Sequence, residues 1–225
     1  HFVHAVREDP KRPGLLYAGT EHGVYISWDD GAHWQPLGLE LPDVAVHDLV
    51  VEENDLVIAT HGRSFYVLDD IAPLRQLTPQ VAASEVHLYD PVDPVRSVDP
   101  GVTVFYYLKE PARRVVLEFL DARGQVIRTF RSDGPRDTAR VAEAAPEPEE
   151  EEGGGGGRFG GGRARVRTQA GTNRFVWDLR HEGPDTFPRM ILWAARPVGP
   201  RAVPGTYQVR LTVDDRPPQV QTFEI

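Results

Sequence analysis

The chain of 225 residues is 40% hydrophobic and 26% charged, a globular balance that excludes wholesale disorder. Its longest apolar stretch, Met190 to Ala195, is far too short to cross a bilayer as a helix. The 21 glycines and 20 prolines disfavour a helical bundle and suit short strands joined by tight turns, and the lack of cysteine removes any disulfide, thiolate metal site or thiol nucleophile. The net charge of −9 is concentrated in Glu143, Glu147 and Glu149 to Glu152; without these, 28 acids face 25 bases, too even a balance to select a partner by charge.

The first ninety residues read as a repeat. Leu15 to Asp30 is echoed by Leu56 to Asp70, with Thr20 matched by Thr60 and Asp29 by Asp69, and upstream Val3-His4-Ala5-Val6 pairs with Val46-His47-Asp48-Leu49. Each copy reads as strand, loop, strand, glycine-containing turn, strand. A period of about 40 residues with three or four strands per unit is the signature of a β-propeller blade. Ile71 to Leu77 and Thr78 to Ala83 each suit one helical turn, with Thr78 as N-cap and Pro79 at the first helical position. Val86 to Tyr89 reads as a short strand, and the boundary falls in the stiff Asp90 to Pro94 connector, so that 1–90 forms two four-stranded blades and 91–100 a linker.

From 101 to 225 the punctuation changes. Strands are expected at Val102 to Leu108, Val115 to Leu120, Val126 to Phe130, Arg174 to Leu179, Thr206 to Val213 and Val220 to Ile225, with Asp121 to Gly124 as a hairpin turn. Six or seven short antiparallel strands describe an immunoglobulin-like sandwich, and the fold class is all-β. Residues 133–167 hold the glutamate run and a glycine-rich tract and read as a disordered insert, since neither can bury enough apolar surface to offset its ordering entropy. The insert's arginines face adjoining glutamates, which would repel phosphate, so no nucleic acid is expected. Met190 to Trp193 is an apolar run expected to seat the sandwich on the propeller.

The most informative octapeptide is Ser27-Trp28-Asp29-Asp30-Gly31-Ala32-His33-Trp34, which fits Ser-x-Asp-x-Gly-x-x-Trp. A short carboxylate can accept backbone N–H groups across a hairpin, Gly31 permits a left-handed turn, and Trp34 can pack beneath it, so Ser27, Asp29, Gly31 and Trp34 are expected to be structural. The pattern resembles the Asp-box of bacterial-neuraminidase-type repeats. With Asp9-Pro10-Lys11-Arg12-Pro13-Gly14-Leu15-Leu16-Tyr17-Ala18-Gly19-Thr20, Ala59-Thr60-His61-Gly62-Arg63-Ser64-Phe65 and Val203-Pro204-Gly205-Thr206-Tyr207-Gln208-Val209-Arg210-Leu211, the chain resembles the C-terminal region of large bacterial exported proteins with sortilin-like propellers, often termed glycosyl hydrolases. Asn173 to Asp178 followed by Pro204 to Tyr207 is similar to the immunoglobulin-like module of flagellar hook-capping proteins. The resemblance implies export (periplasmic, cell-surface or secreted) and a binding role, with no established chemistry.

Glycoside hydrolysis needs two carboxylates facing each other across a sugar, or a Tyr–Glu nucleophile pair. Asp29 and Asp30 are adjacent and point to opposite sides of a strand end, so they cannot serve as that pair. A propeller active site draws residues from several blades, and two blades supply two walls at most. The expectation is therefore a non-catalytic module recognising a peptide or glycan, the alternative being a fragment of a sialidase-like hydrolase whose site lies in upstream blades. The best ligand surface is His61, Arg63 and Ser64 with Tyr66, where a carboxylate or sugar hydroxyls could be held. No cofactor and no metal are expected: His1 and His4 fall on opposite faces of a strand, and His22 and His61 have no carboxylate at ligand spacing. The chain reads as a processed product or piece of a longer protein, its unprotected strand edges calling for upstream blades or another protein chain.

Overall fold

The computed structural model describes residues 2–94, 101–133, 166–185 and 198–225, and the chain divides into two compact units, His1–Thr78 and Pro79–Ile225. Almost all regular structure is antiparallel β. In the first unit, β1 (Val3–Glu8), β2 (Leu16–Thr20), β3 (Gly23–Ser27) and β4 (Gln35–Pro36) form one sheet in that order, and β5 (Val46–Glu52), β6 (Asp55–Thr60) and β7 (Phe65–Leu68) form another.

The two sheets are copies down to their irregularities. Val3 lies opposite Thr20 and Val46 opposite Thr60, and in each the register slips at the next residue, so that Ala5 faces Gly19 and Asp48 faces Ala59. The extra residue of each bulge is a histidine, His4 or His47. Between the sheets Leu15, Tyr17, Val24 and Ile26 from one meet Val46, Leu49, Leu56 and Ile58 from the other in a single core. Gly19 lets them close: a Cβ there would stand 2.8 Å from both the Cγ1 and the carbonyl oxygen of Val46.

The second sheet has three strands, where four were expected. The Ile71 N–H bonds to the Asn54 carbonyl at 2.7 Å, which turns the chain across the strand ends and into α1 (Ala72–Gln76) at the point where a fourth strand would start. Arg75 of that helix reaches back to Asp9, whose side chain is fully buried, while Arg12 donates to the Leu74 and Arg75 carbonyls at 2.8 Å each.

The second unit opens with α2 (Pro79–Ala83) and contains, among the described residues, seven strands: β8 (Val86–Leu88), β9 (Val102–Leu108), β10 (Val115–Asp121), β11 (Val126–Arg131), β12 (Gly171–Trp177), β13 (Thr206–Val213) and β14 (Gln219–Glu224). They form a sheet ordered β11-β10-β13-β14 and a second ordered β12-β9-β8, a four-plus-three sandwich. Alternate residues of β9 and β13 turn inward as the period of two dictates. Phe119 stacks on Trp177 with ring centroids 4.3 Å apart, and Phe175, Tyr207 and Phe223 surround the pair. The Tyr207 hydroxyl donates to the Val203 carbonyl at 2.8 Å, the corner tether characteristic of immunoglobulin-like sandwiches.

Three boundaries differ from expectation. β8, grouped with the blades by sequence, pairs with β9 and belongs to the second unit. It is too short for its period to reveal an affiliation, which is set by pairing and by Gln219: the Leu88 N–H donates to Gln219 Oε1 at 2.7 Å and Gln219 Nε2 donates to the Val86 carbonyl at 2.9 Å. β12 starts at Gly171 and ends at Trp177, because Leu179 adopts a positive φ and leaves the extended path. Val166, assigned by sequence to the insert, is buried in the sandwich core, and the Arg167 carbonyl accepts the Tyr106 hydroxyl. The remainder of the insert and the Met190 to Trp193 run lie outside the described residues.

Candidate functional site at the histidine-rich end

Because Val3 lies opposite Thr20 and Val46 opposite Thr60, the β2–β3 and β6–β7 turns stand at the end of the unit where β1 and β5 begin. Backbone bonds join these segments: Glu21 N–H to the Phe2 carbonyl at 3.3 Å, Gly23 N–H to Val44 at 2.9 Å, and His61 N–H to Ala45 at 2.8 Å. Four of the eight histidines, His4, His22, His47 and His61, thereby gather at one end.

Three of them form a row. The His4 and His47 ring centroids are 4.6 Å apart with planes inclined at 39°, and those of His47 and His61 are 5.0 Å apart at 14°. The bulges produce this arrangement by placing each histidine at the same point of successive copies. Among the described residues no group of three or more histidine or carboxylate side chains is arranged to hold a metal ion. What the row offers is a series of exposed imidazole edges that can form hydrogen bonds, together with exposed faces on which flat groups can stack.

The β6–β7 turn presents the rest. Thr60 donates to the Ser64 carbonyl through its N–H at 3.1 Å and through its hydroxyl at 2.6 Å. Gly62 and Ser64 both take positive φ, which folds His61, Gly62 and Arg63 into a compact loop with Arg63 and Ser64 exposed. Tyr66 lies elsewhere: opposite Ile58 in β7, it packs against the inter-sheet core. The structure thus groups His61, Arg63 and Ser64 and adds His4 and His47, which sequence reasoning did not single out. Their signal was the alignment of Val3-His4 with Val46-His47 in the repeat.

His22 also has a carboxylate, contrary to the spacing argument. Its Nδ1 lies 2.9 Å from Asp43 Oδ1, supplied by the loop between the copies. The pair borders a recess of about 400 Å3 lined by Val24, Pro36, Leu41 and Pro42.

The Ser27–Trp34 turn stands at the opposite end of the first sheet. Asp29 Oδ1 accepts the Ser27 hydroxyl at 2.9 Å and the His33 N–H at 2.8 Å, and its Oδ2 meets His33 Nδ1 at 2.6 Å. The Gly31 N–H donates to Ser27 Oγ at 3.0 Å, Gly31 has a φ of 84°, and the Trp34 ring covers it. The His33 backbone bond, then its ring, then Ser27 hold the Asp29 carboxyl down at about 2. Both of its oxygens are engaged by hydrogen bonds within the turn.

No protein-family model matches the chain, and no curated protein matches it. Among solved structures it is similar to PorZ of Porphyromonas gingivalis, described as an essential bacterial surface component of the type-IX secretion system, with 15% identity and a TM-score of 0.29 over 99% of this chain and 30% of that one. At that score the likeness carries no argument, and this chain spans 30% of that protein's length.

Proposed function

We propose that the chain is a non-catalytic binding module of an exported β-propeller protein with Asp-box-type blades, recognising a peptide or glycan through the histidine-rich end of the first unit. The observation that carries this reading is the convergence of His4, His47 and His61 with Arg63 and Ser64 on one exposed surface. Imidazole edges, a guanidinium and a hydroxyl match the carbonyl, carboxylate and hydroxyl groups of such ligands, and the flat imidazole faces suit a sugar ring or peptide plane. The sandwich then serves as spacer or anchor.

The competing reading is a piece of a sialidase-like glycoside hydrolase, favoured only by the likeness of the Ser27–Trp34 turn to enzyme repeats. Asp29 is a poor general acid, since a carboxyl held near 2 is ionised at any working pH and both oxygens already accept hydrogen bonds. Glycan and peptide arrays run beside chromogenic glycosides separate the two. Binding that falls at least about tenfold in Arg63→Ala and His47→Ala, with no glycoside turnover, supports the module. Turnover that survives both substitutions supports the hydrolase.

A further inference from the structure

At the histidine-rich end the backbone donors of the turns are already occupied. The Glu21, Gly23 and His61 N–H groups bond to the Phe2, Val44 and Ala45 carbonyls, and the Thr60 N–H bonds to Ser64. A peptide that binds by extending a sheet needs an open backbone edge, which these turns do not offer. What they offer a ligand is side chains: the imidazoles of His4, His47 and His61, the Arg63 guanidinium and the Ser64 hydroxyl, all on exposed residues. Separate side-chain donors and acceptors of this kind suit a saccharide, whose polar groups project singly from a ring.

The charges at this end set its preference among saccharides. Arg7 and Asp48 neutralise each other across β1 and β5, and Asp43 is engaged by His22. Glu21, on the β2–β3 turn, opposes an anion. Arg63 has no carboxylate partner among the described residues and stands as a permanent positive charge two positions along the loop from His61. The histidine row adds a charge that responds to acidity, since an imidazole takes up its proton between about pH 5 and 8. With ring centroids 4.6 and 5.0 Å apart, charging one ring opposes charging the next. An anion lying along the row offsets that repulsion, so its binding and proton uptake reinforce each other.

We infer that His4, His47 and His61, with Arg63, form a proton-coupled receptor for a glycan bearing carboxylates, holding it in mildly acid conditions and releasing it near neutrality. This rests on the reading of that end as a binding surface, and adds to it the ligand's charge and the dependence on pH.

Titration calorimetry on the whole chain tests it, with oligogalacturonate as the acidic probe, neutral galactan beside it and hexaglutamate as the acidic peptide, at about pH 7.5 and about pH 5.5, where the probes' carboxylates stay ionised. Affinity for oligogalacturonate should rise at least about tenfold on acidification, and the heat should differ between buffers of unlike ionisation enthalpy, as proton uptake requires. Arg63→Ala should weaken binding at both pH values and keep the response to acid. The triple variant His4→Gln, His47→Gln, His61→Gln should lose that response; its positions are exposed, and an unchanged thermal transition verifies its fold. Oligogalacturonate that binds at neither pH, or equally at both, overturns the inference, as does a triple variant that keeps the response or hexaglutamate held as tightly as the glycan. Galactan bound equally at both pH values and weakened by Arg63→Ala overturns it while leaving the binding surface standing. A chain that captures no ligand from glycan or peptide arrays at either pH overturns both.

Discussion

Arg75 grips Asp9 through one nitrogen: its Nε lies 3.0 and 2.8 Å from the two carboxylate oxygens, in a place where the Asp9 side chain is wholly excluded from solvent. The same guanidinium donates to the Asn54 side chain and the Glu53 carbonyl at 2.8 Å each, and Asp9 also accepts the Lys11 and Arg12 N–H groups. A turn of the first sheet, a turn of the second and α1 are tied at one point. Removing one partner strands a buried charge, so Arg75→Ala should cost about 3–5 kcal/mol in urea unfolding. Paired with Asp9→Ala in a double-mutant cycle, the two losses should sum to more than the double variant shows.

The Asp29 turn has a defined acid sensitivity. Its carboxyl is lowered from 3.8 to about 2 by the His33 backbone bond first, then the His33 ring and Ser27. A depressed folded-state value means that the turn's contribution is fully present above about pH 4 and lost as the pH falls through about 2. An NMR titration of the Asp29 carboxyl should place its midpoint near 2, and Ser27→Ala should move it upward; a midpoint near 4 in the wild type would refute the bonding described.

Gly19→Ala places a methyl group 2.8 Å from Val46 Cγ1 and its carbonyl oxygen, backbone that cannot rotate away. The sheets must part, at about 1–3 kcal/mol of stability measured by chemical denaturation. The same substitution at Gly62, where a Cβ would meet nothing within 4 Å but φ is 84°, costs through backbone strain alone, about 1 kcal/mol.

Tyr207→Phe removes the tether to the Val203 carbonyl while keeping the ring between Trp177 and Phe223. The loss should be about 1 kcal/mol, confined to the transition of the second unit.

Much of this architecture was legible because it is periodic. Thr20 and Thr60 marked the same rung of two copies, and the strands expected at Val102–Leu108 and Thr206–Val213 match the observed ones to the residue. What escaped notice was decided by contacts between distant segments. Ile71 bonds to Asn54 and ends the second sheet early, Gln219 recruits β8 to the sandwich, and Asp43 arrives beside His22 from the far side of a loop. At the candidate site the turn chemistry of His61, Gly62, Arg63 and Ser64 pointed correctly to an exposed loop, whereas Tyr66 faced inward because strand parity, counted from the β6–β7 pairing, turns it to the core. The His4 and His47 contribution depended on bulges, which alter parity by one and leave no mark in composition.

The Gln219 side chain has one more consequence. Its amide, with that of Gln221 donating to the Leu88 carbonyl at 3.2 Å, occupies the free rim of β8 as a further strand would. Two side chains thus imitate a backbone, and the β8 edge is sealed from within against an invading segment.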